Sequence, residues 1–483
     1  ATLPPLPAVS GAVVTRFPPE PNGFMHIGHA KAAFVGSEYA RIYGGKFIMR
    51  FDDTNPAVER KEFYEAFLEA FVWLGIKPDL VRNASDDMET FYELANKMIR
   101  GSSAYVCMCT QELMRERRSR GEVCQHRSQT VEQDLELWSK MKSGETEKSG
   151  AVLRFVGDMQ SVNTTMRDPV LFRMVHEPHP IQGTKYKVWP TYDFDGPVED
   201  SLDGVTHAMR SKEYELRDKL YHAILKSLGL REPQIIEFSR LTLQNTTVSK
   251  RSLRKLIDEK KVDGWDDPRL PTISGLRRRG FLPEAIKEFI LSMGVSKVES
   301  EPTWDLLESI NRKILDPLAK RYFFVPDPIE IRVEGAPALD VHLKYHPEQD
   351  YGVRTVKTDG SFFVSRNDLN TIPVGANARL IEAYNIRIVE KNRDKIVSEY
   401  FGEERLNGIR KFQWVSAKDI VPLDVKVPGA LLSGGEFNPE SLRVISGFAE
   451  SAVKELDIGS MVQFVRFGFC RIDEKGVAIL THK

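Results

Sequence analysis

Two histidines stand three residues apart in a turn near the start of the chain. They are His26 and His29, with Gly28 between them, and the turn before them contains three prolines and an Asn-Gly pair. Residues i and i+3 share one face of a helix, so we expect both imidazoles to point the same way. The N–H groups at a helix start attract an anion, and glycine lets a ligand approach the backbone closely. This spacing predicts a phosphate site at which developing charge is stabilised.

The segments around this turn alternate between strand and helix signals. Asn55-Pro56 is expected to begin the second helix, as an N-cap followed by proline at the first helical position. A β-α-β-α order predicts a parallel sheet with ligands at the carboxyl ends of its strands, where Asp52 and Asp53 lie. A carboxylate there suits a substrate ammonium, and a helix-capping aspartate is the alternative. The predicted strands and helices are residues 11–17, 26–43 and 46–52, followed by a helix that ends at Gly75.

Three of the four cysteines in the chain lie in one short window beside a histidine. They form two close pairs, Cys107-x-Cys109 and Cys124-x-His126. Thiolates and an imidazole in such pairs are the ligands that a tetrahedral Zn²⁺ requires, and a reducing compartment favours a metal over a disulfide. The Cys-x-Cys spacing is tighter than the usual one, and small buried thiols are the alternative. The pattern favours a zinc site at these four residues and leaves the buried thiols as the alternative.

The composition is ordinary for a soluble protein. Its 483 residues are 41% hydrophobic and 28% charged, which predicts three or more domains with cores of their own. No apolar run is long enough to span a bilayer and no secretory signal opens the chain, so we expect a cytoplasmic protein. With a net charge of −1, nucleic-acid binding needs local basic surface, for which residues 250–261 and 277–279 are candidates; a solvated helix face is the alternative. Because the chain does not begin with methionine, we expect processing or a missing upstream segment.

The run from Arg16 to Lys31 contains the tetrapeptide His-Ile-Gly-His. It resembles the first signature of class I aminoacyl-tRNA synthetases, in the glutamyl and glutaminyl branch, and the resemblance covers essentially the whole chain. Residues 246–251 occupy the place of the second signature, KMSKS: Ser249-Lys250 match it, and the flanking residues depart from it. Residues 264–280 resemble the element that leads from that loop into the helices under the tRNA.

The resemblance implies an α/β fold with a Rossmann-type parallel-sheet catalytic domain, an α/β insertion, a helical connecting subdomain and C-terminal all-β barrels. Short strands with turn signals from residue 326 onward predict the same β-rich end, with residues 462–472 as one strand. Two such barrels are typical of the archaeal and eukaryotic type of glutamyl-tRNA synthetases, to which the chain is similar. The expected parts are residues 1–100 for the first half of the catalytic domain, 101–190 for an inserted tRNA acceptor-binding domain with the zinc site, 191–255 for the second half with the Ser-Lys-Arg loop, 256–325 for the helical subdomain and 326–483 for the anticodon-binding barrels.

In the resembled family the two signatures bind ATP and promote the first chemical step. The resemblance implies that His26 and His29 stabilise the α-phosphate and that Lys250 stabilises the departing pyrophosphate, with Mg²⁺ bridging phosphate oxygens. A mobile loop with one essential lysine can close over ATP during the reaction. The implied ATP-binding residues are Pro18, His26, Gly28, His29, Ser249 and Lys250.

The resemblance also implies an amino-acid site of four residues. In glutamate-specific enzymes an arginine follows a Thr-His element and meets the substrate's side-chain carboxylate, whereas the glutamine-specific branch has a small uncharged residue there; here it is Arg210. A guanidinium offers only donors, so it pairs well with a carboxylate and poorly with an amide NH₂. Asp52 is implied to contact the α-amino group, Arg16 to add a second positive group and Tyr192 a hydroxyl. The alternative is that buried tyrosine and arginine side chains satisfy each other.

These resemblances imply an enzyme that ligates L-glutamate to the 3′ end of tRNA(Glu), with ATP consumed and a glutamyl-adenylate as intermediate. The expected partners are tRNA(Glu), glutamate and ATP, without a membrane, and we expect a monomer. Whether tRNA(Gln) is also charged with glutamate stays open. Three alternatives stand: a glutaminyl-tRNA synthetase, against which Arg210 argues; a non-catalytic tRNA-binding protein on the same fold; and a nucleotidylyltransferase of small molecules, which would not need a large β-rich end.

Overall fold

The computed structural model describes residues 3–146 and 150–483 of the chain. Within these ranges no helix has both the length and the apolar character that crossing a lipid bilayer requires. The chain divides into two compact units, the first formed by residues 1–242 and 290–301 and the second by residues 243–289 and 302–483.

The first unit begins with alternating strands and helices, continues into an antiparallel sheet and then resumes the alternation. This order confirms the α/β class predicted from the apolar periodicity. Its strands are β1 (Val14–Phe17), β2 (Lys46–Phe51), β3 (Leu80–Asn83), β4 (Ala104–Cys107), β5 (Val152–Phe155), β6 (Val170–Met174), β7 (Val188–Pro190), β8 (His207–Ser211) and β9 (Gln234–Phe238). Its helices are α1 (Ile27–Ile42), α2 (Lys61–Leu74), α3 (Met88–Arg100), α4 (Gln111–Arg120), α5 (Val131–Ser143), α6 (Tyr192–Leu202) and α7 (Asp218–Leu228).

Two parallel sheets lie side by side in this unit. One has the order β1-β2-β3, and the other pairs β8 with β9. Thr206, just before β8, donates its N–H to the Val14 carbonyl at 2.9 Å, and the Val14 N–H donates to the Thr206 hydroxyl at 2.9 Å. The strand order is therefore 3-2-1-8-9. Strand numbers decrease toward β1 and increase from β8 onward, so the winding of the chain reverses between β1 and β8. In open parallel sheets such a reversal creates a crevice at the carboxyl ends of the strands, where ligands bind.

Helix α1 begins at the paired histidines. His26 has the extended backbone of an N-cap, and its ring accepts from the N–H groups of Gly28 and His29. The helix ends at Ile42, and Gly44 follows with φ +61°, a left-handed conformation that glycine adopts without strain. The predicted helix over 26–43 is confirmed to within about one residue at each end.

The start of α2 differs from the prediction. Asn55-Pro56 does not cap this helix, which begins at Lys61. The Asn55 N–H donates instead to the carboxylate of Glu59, a buried residue. Residues 56–58 form a separate turn, in which the Val58 N–H donates to the Asn55 carbonyl. The Asn55 backbone is therefore bonded to this turn and to Glu59 and does not lie at the helix start.

The antiparallel sheet β4-β5-β6-β7 forms the middle of the first unit. Helix α5 packs on it and begins with a capping box, in which the Thr130 and Gln133 side chains each accept from the other residue's backbone N–H. Trp138 of α5 is 1% exposed and meets Phe172 of β6 at 5.1 Å between ring centroids. The same hydrophobic core includes Phe194 of α6, so the sheet and the nucleotide-fold helices are packed together.

The second unit is mainly β-structure, as predicted. Most of its strands belong to two seven-stranded sheets, which have separate hydrophobic cores. The single strand predicted over 462–472 is wrong, because the chain reverses at Arg466 (φ +60°) and forms an antiparallel hairpin. The strands are β10 (Lys320–Tyr322), β11 (Phe324–Pro326), β12 (Pro328–Glu334), β13 (Leu339–Lys344), β14 (Val353–Thr358), β15 (Ser361–Ser365), β16 (Asn377–Leu380), β17 (Asn385–Lys391), β18 (Lys395–Tyr400), β19 (Arg410–Phe412), β20 (Val415–Ser416), β21 (Ile420–Pro428), β22 (Leu432–Ser433), β23 (Glu436–Phe437), β24 (Leu442–Glu450), β25 (Met461–Phe464), β26 (Gly468–Glu474) and β27 (Val477–His482). One seven-stranded sheet has the order β10-β25-β26-β27-β21-β24-β11, and the other has the order β19-β16-β17-β18-β12-β15-β20. The helices after residue 243 are α8 (Lys250–Asp258), α9 (Ile273–Arg279), α10 (Pro283–Met293), α11 (Trp304–Leu315) and α12 (Arg366–Asn370).

Candidate active site

The rings of His26 and His29 stack at the N-terminus of α1, with 3.7 Å between their centroids. Nδ1 of His26 accepts the Gly28 N–H at 3.1 Å, and Nδ1 of His29 accepts the His26 N–H at 3.1 Å. A Cβ atom at position 28 would lie 2.9 Å from Cε1 of His26, so the glycine makes room for the capping ring. A neutral imidazole whose Nδ1 accepts carries its proton on Nε2. Both histidines therefore offer an Nε2–H donor.

The protonation of these rings follows from their surroundings. Burial lowers the pKa of His29 to about 4, and the nearby Arg240 acts in the same direction. Burial also lowers the pKa of His26 well below its usual value, with His29 and Arg240 adding to the effect. Both imidazoles are therefore neutral at physiological pH. They can stabilise an anion through their Nε2–H groups and the positive end of the helix dipole, because the Gly28 and His29 N–H groups already donate to the His26 ring.

A cavity of about 580 Å³ opens at the carboxyl ends of β1 and β2, beside the start of α1. Its volume lies within the usual range of small-molecule sites. Four of the predicted site residues line it, namely Pro18, His29, Asp52 and Tyr192. The other lining residues are Phe17, Pro19, Glu20, Asn22, Thr54, Asn55, Arg173, Thr191, Asp193, Tyr214 and Arg217.

Asp52 follows β2, and its side chain lies beside that of Asp195 of α6. Oδ1 of each carboxyl is buried and has no donor within the described parts of the chain. Asp195 is almost wholly buried, and its Oδ2 accepts from the Thr54 hydroxyl at 2.7 Å. Burial raises the pKa of Asp195 well above its usual value, and the charge of Asp52 acts in the same direction. Asp195 therefore holds a proton and donates it to the Asp52 carboxylate. The pair carries one negative charge at the cavity, which matches the single charge of a substrate ammonium.

Arg16 of β1 is buried, and each of its three guanidinium nitrogens donates to the protein. Its Nε and Nη2 donate to Asp200 at 2.9 and 3.1 Å, and its Nη1 donates to the Met209 carbonyl at 2.6 Å. Asp200 also accepts from Arg50 Nη2 at 2.8 Å and from the Tyr221 hydroxyl at 2.8 Å. Burial alone would raise the pKa of Asp200, but the two arginines outweigh burial and hold it below the usual range. In this arrangement Arg16 is the partner of Asp200, and its contact with glutamate stays a prediction.

Arg210, near the end of β8, lies within a group of three tyrosines. The ring centroids of Tyr192, Tyr214 and Tyr221 are 5.6, 5.3 and 5.2 Å from its guanidinium carbon. Its Nη1 is 3.7 Å from the Asp218 carboxylate, and its buried Nε has no hydrogen-bond partner among residues 3–146 and 150–483. A buried guanidinium with an unused donor favours a carboxylate ligand.

The four predicted metal ligands meet in the first unit. Sγ of Cys124 lies 3.7 Å from Sγ of Cys107, 3.5 Å from Sγ of Cys109 and 3.2 Å from Nδ1 of His126. The thiols are not disulfide-bonded. Ligand atoms around a tetrahedral zinc are separated by about 3.5–3.8 Å, given zinc–ligand bonds of about 2.0–2.3 Å. The two thiol–thiol separations fit that range, and the thiol–imidazole separation is slightly shorter. All four ligand atoms lie within 4.8 Å of one another, so this cluster can hold a metal ion.

Ser249 and Lys250 belong to the second unit. Ser249 is the N-cap of α8, its hydroxyl accepting the Ser252 N–H at 3.5 Å, and Lys250 is the first residue of that helix. Residues 246–249 of the predicted second signature lie in the loop before α8, and Lys250 and Arg251 form the first turn of that helix. The roles of both residues toward ATP stay predictions.

Profiles of known protein families match most of the chain. A profile described as "tRNA synthetases class I (E and Q), catalytic domain" matches residues 12–317. The chain belongs to the class I tRNA synthetases of the E and Q group. Two further profiles, both described as the anti-codon binding domain of the same group, match residues 319–403 and 411–473 of this synthetase. The predicted family is confirmed.

Relatives of this synthetase are similar over nearly its full length. It is 44% identical to the glutamate–tRNA ligase of Cenarchaeum symbiosum, over 99% of this chain and 85% of the relative. It is 43% identical to the glutamate–tRNA ligase of Pyrococcus abyssi, over 100% of this chain and 85% of the relative. A solved glutamate tRNA ligase from Elizabethkingia meningosepticum, in complex with its amino acid, has a TM-score of 0.48 and 21% identity, over 64% of this chain and 70% of that one.

Several residues of this synthetase's site were not predicted from the sequence. Arg173 of β6 donates to the Thr54 carbonyl at 3.1 Å and lines the cavity, although nothing in its local sequence sets it apart. A signal did exist in α6, which contains four acidic residues and no basic one. An acidic helix whose carboxylates are buried needs cationic partners from other segments. The unpredicted residues are Arg173, Asp195, Asp200, Tyr214 and Asp218.

Proposed function

We propose that this synthetase is a glutamate–tRNA ligase, which uses ATP to attach L-glutamate to the 3′ end of tRNA(Glu). The observation that carries the proposal is the buried guanidinium of Arg210, with its unused Nε donor beside cavity-lining Tyr192. A carboxylate side chain would complete its hydrogen bonds, whereas the NH₂ group of glutamine would set donor against donor. The name shared by the archaeal relatives supports the same substrate.

The first proposed step is attack of an α-carboxylate oxygen of glutamate on the α-phosphorus of ATP, which enters with its Mg²⁺ as co-substrate. A P–O bond to glutamate forms, the bond to the pyrophosphate oxygen breaks, and pyrophosphate leaves. No side-chain nucleophile is needed, since positioning and charge stabilisation carry such transfers. Asp52 would hold the α-ammonium group, while the Nε2–H groups of His26 and His29 would donate to α-phosphate oxygens. Pro18 and Gly28 would border the nucleotide.

The residues at the start of α8 would act on the leaving group. Lys250 is proposed to neutralise charge on the departing pyrophosphate, with Ser249 beside it. In the second step the 2′-hydroxyl oxygen of the terminal tRNA ribose attacks the glutamyl carbonyl carbon. The ester bond forms, the bond to phosphate breaks, and AMP leaves with the electron pair while the hydroxyl proton is released.

We propose zinc as the metal of the Cys/His cluster. Cys107, Cys109, Cys124 and His126 would hold the ion as thiolates and a neutral imidazole. When bound, it would supply a structural cross-link between the end of β4 and the segment before α5. No step of the reaction passes through it.

The proposal is tested by aminoacylation assays in the presence of tRNA, with labelled glutamate and glutamine compared. We expect charging with glutamate and little with glutamine. The variant Arg210→Gln should raise the KM for glutamate by about tenfold to a hundredfold, because hydrogen bonds to charged groups contribute about 1.5–3 kcal/mol. Arg120→Gln, at a residue whose side chain is 62% exposed, is the matched control and should behave as wild type. Preferential charging with glutamine would overturn the proposal.

We further propose that the enzyme acts as a monomer on tRNA(Glu). Assays on separate tRNA pools would show whether tRNA(Gln) is also glutamylated, and light scattering would test the expected monomer. A cytoplasmic location is part of the same proposal. So is the five-part division at residues 100, 190, 255 and 325, with the acceptor end bound by residues 101–190 and the anticodon by residues 326–483.

A further inference from the structure

Two carboxyl side chains from neighbouring elements lie near Arg210. Asp218, the first residue of α7, has Oδ1 3.7 Å from Nη1 of Arg210. Glu237 is the register partner of Arg210 across the β8–β9 pair, and its Oε2 is 2.6 Å from Nζ of Lys297. The Glu237 side chain is 5% exposed and that of Asp218 is 27% exposed. Arg210 therefore has a carboxyl partner before any substrate arrives.

The hydrogen bonding of these carboxyls indicates a shared proton. Oδ1 of Asp218 and Oε1 of Glu237 are both buried, and neither has a donor in the described parts of the chain. Two adjacent buried carboxylates repel each other, and one proton between them removes the repulsion and satisfies both oxygens. Burial raises the pKa of Asp218 to about 7, with its hydrogen bond to Glu237 acting in the same direction. For Glu237 burial acts upward, but the bonds to Asp218 and Lys297 outweigh it and lower its pKa. The proton therefore resides on Asp218.

We propose that Asp218 is a positioning residue that sets the selection of glutamate by Arg210. When Asp218 is protonated, with Glu237 as its partner, it leaves the guanidinium to the substrate. When Asp218 is ionised, it competes with the substrate's side-chain carboxylate for that guanidinium. The inference rests on the proposed function, because it concerns how the same arginine recognises glutamate. Ionisation adds one negative charge 3.7 Å from the group that binds the substrate's negative charge. A neutral substrate such as glutamine would not feel that added charge.

The charged groups around Asp218 come from each element packed against it. Arg210 faces it from β8, Glu237 from β9, and Glu215 from the 3₁₀ turn Lys212–Arg217. Lys297 bridges the two glutamates, at 3.2 Å from Glu215 and 2.6 Å from Glu237. Tyr192 and Tyr214 both contact Arg210 and line the cavity. Burial raises the pKa of Tyr192 to about 12 and raises that of Tyr214 as well, so both rings stay neutral in the range of interest.

The test is the pH dependence of the KM for glutamate, measured by aminoacylation with the full chain and tRNA(Glu). For the wild type we expect the KM to rise about tenfold between about pH 6 and pH 8.5, with kcat nearly constant, because a unit charge at this distance weakens carboxylate binding. The inhibition constant of glutamine, measured as a competitor, should stay flat over the same range. A merely structural role for Asp218 would move both constants together.

Two variants should act in opposite directions. Asp218→Asn keeps the shape but cannot ionise, so its KM for glutamate should stay at the low-pH wild-type value throughout. In Glu237→Gln the amide would donate to Asp218 and hold it ionised, so the KM should already be high at about pH 6. Glu299→Gln is the charge-matched control: this side chain is 73% exposed, pairs with Lys212 at 3.6 Å and should follow the wild type. Thermal melting of each variant checks that it is folded.

The outcomes separate this inference from the proposed function. A wild type that charges glutamate with a KM independent of pH overturns the inference alone. So does an Asp218→Asn enzyme whose KM follows the wild-type pH dependence, or a Glu237→Gln enzyme that matches Asp218→Asn. A wild type that charges no glutamate at any pH overturns the proposed function and the inference with it.

Discussion

The substitution Asp200→Asn tests whether the buried ion network holds the first unit together. The Asp200 carboxylate is wholly buried and accepts from Arg16, Arg50 and Tyr221. Asparagine has nearly the same shape, but it carries no charge and its NH₂ group would face guanidinium donors. Arg50 would keep Asp203 as a partner at 2.9 Å, whereas Arg16 would lose its carboxylate. The variant thus leaves one buried guanidinium uncompensated.

The expected loss of stability follows from these contacts. Removing one partner of a buried ion pair costs about 3–5 kcal/mol, and we expect a value near the lower end because Asp203 still compensates Arg50. The pKa of Asp200 is lowered in the folded protein, so its stabilising contribution is fully present above the ordinary aspartate pKa of about 4. That contribution disappears as the pH falls through the lowered pKa. The difference between wild type and variant should therefore be constant from about pH 5 to pH 8.

The assay is urea unfolding of the full chain followed by circular dichroism, at several pH values. Glu136→Gln provides a control, since Glu136 and Lys140 form an exposed pair at 2.7 Å with side chains 67% and 42% exposed. Solvent screens an exposed pair, so the control should change the unfolding free energy little. A loss for Asp200→Asn that is no larger than the control's would refute the reasoning, because the network would then not compensate buried charge.

Three further predictions concern the proposed chemistry. His29→Asn removes an Nε2–H donor and should lower pyrophosphate exchange about 10²–10³-fold. The wild-type rate should show no ionisation of His29 above about pH 5.5, because burial lowers the pKa of His29 to about 4. A His29→Asn variant with an unchanged exchange rate would exclude His29 from the step. Lys250→Ala should reduce adenylate formation far more than glutamate affinity, and unchanged exchange would remove Lys250 from the mechanism. Cys124→Ser should abolish zinc retention in elemental analysis, whereas Cys470→Ser, at the buried cysteine of β26, should retain it; equal zinc in both would argue against the cluster.

The parts of the site that the sequence predicted depend on neighbours within a few residues. The spacing of His26 and His29 predicts a helix start, and the structure has a cap there whose donors and acceptors are three residues apart at most. The two Cys/His pairs similarly predict a cluster, because each pair places two ligands close together on the backbone. The error at Asn55 has the same origin, since a good local cap signal was overridden by a buried glutamate.

The sequence does not predict which charged side chains are free to bind a ligand, because their partners lie far away along the chain. Arg16 is paired with Asp200, 184 positions later, and so offers its guanidinium to the protein. Arg210 keeps an unused Nε donor, and the Asp218 carboxylate from the next helix lies 3.7 Å from its Nη1. Residue types and spacing thus establish the family, the histidine turn and the metal-ligand pairs. Burial and long-range pairing establish which groups are charged and free to bind, since desolvation and Coulomb interactions act through space and not along the sequence.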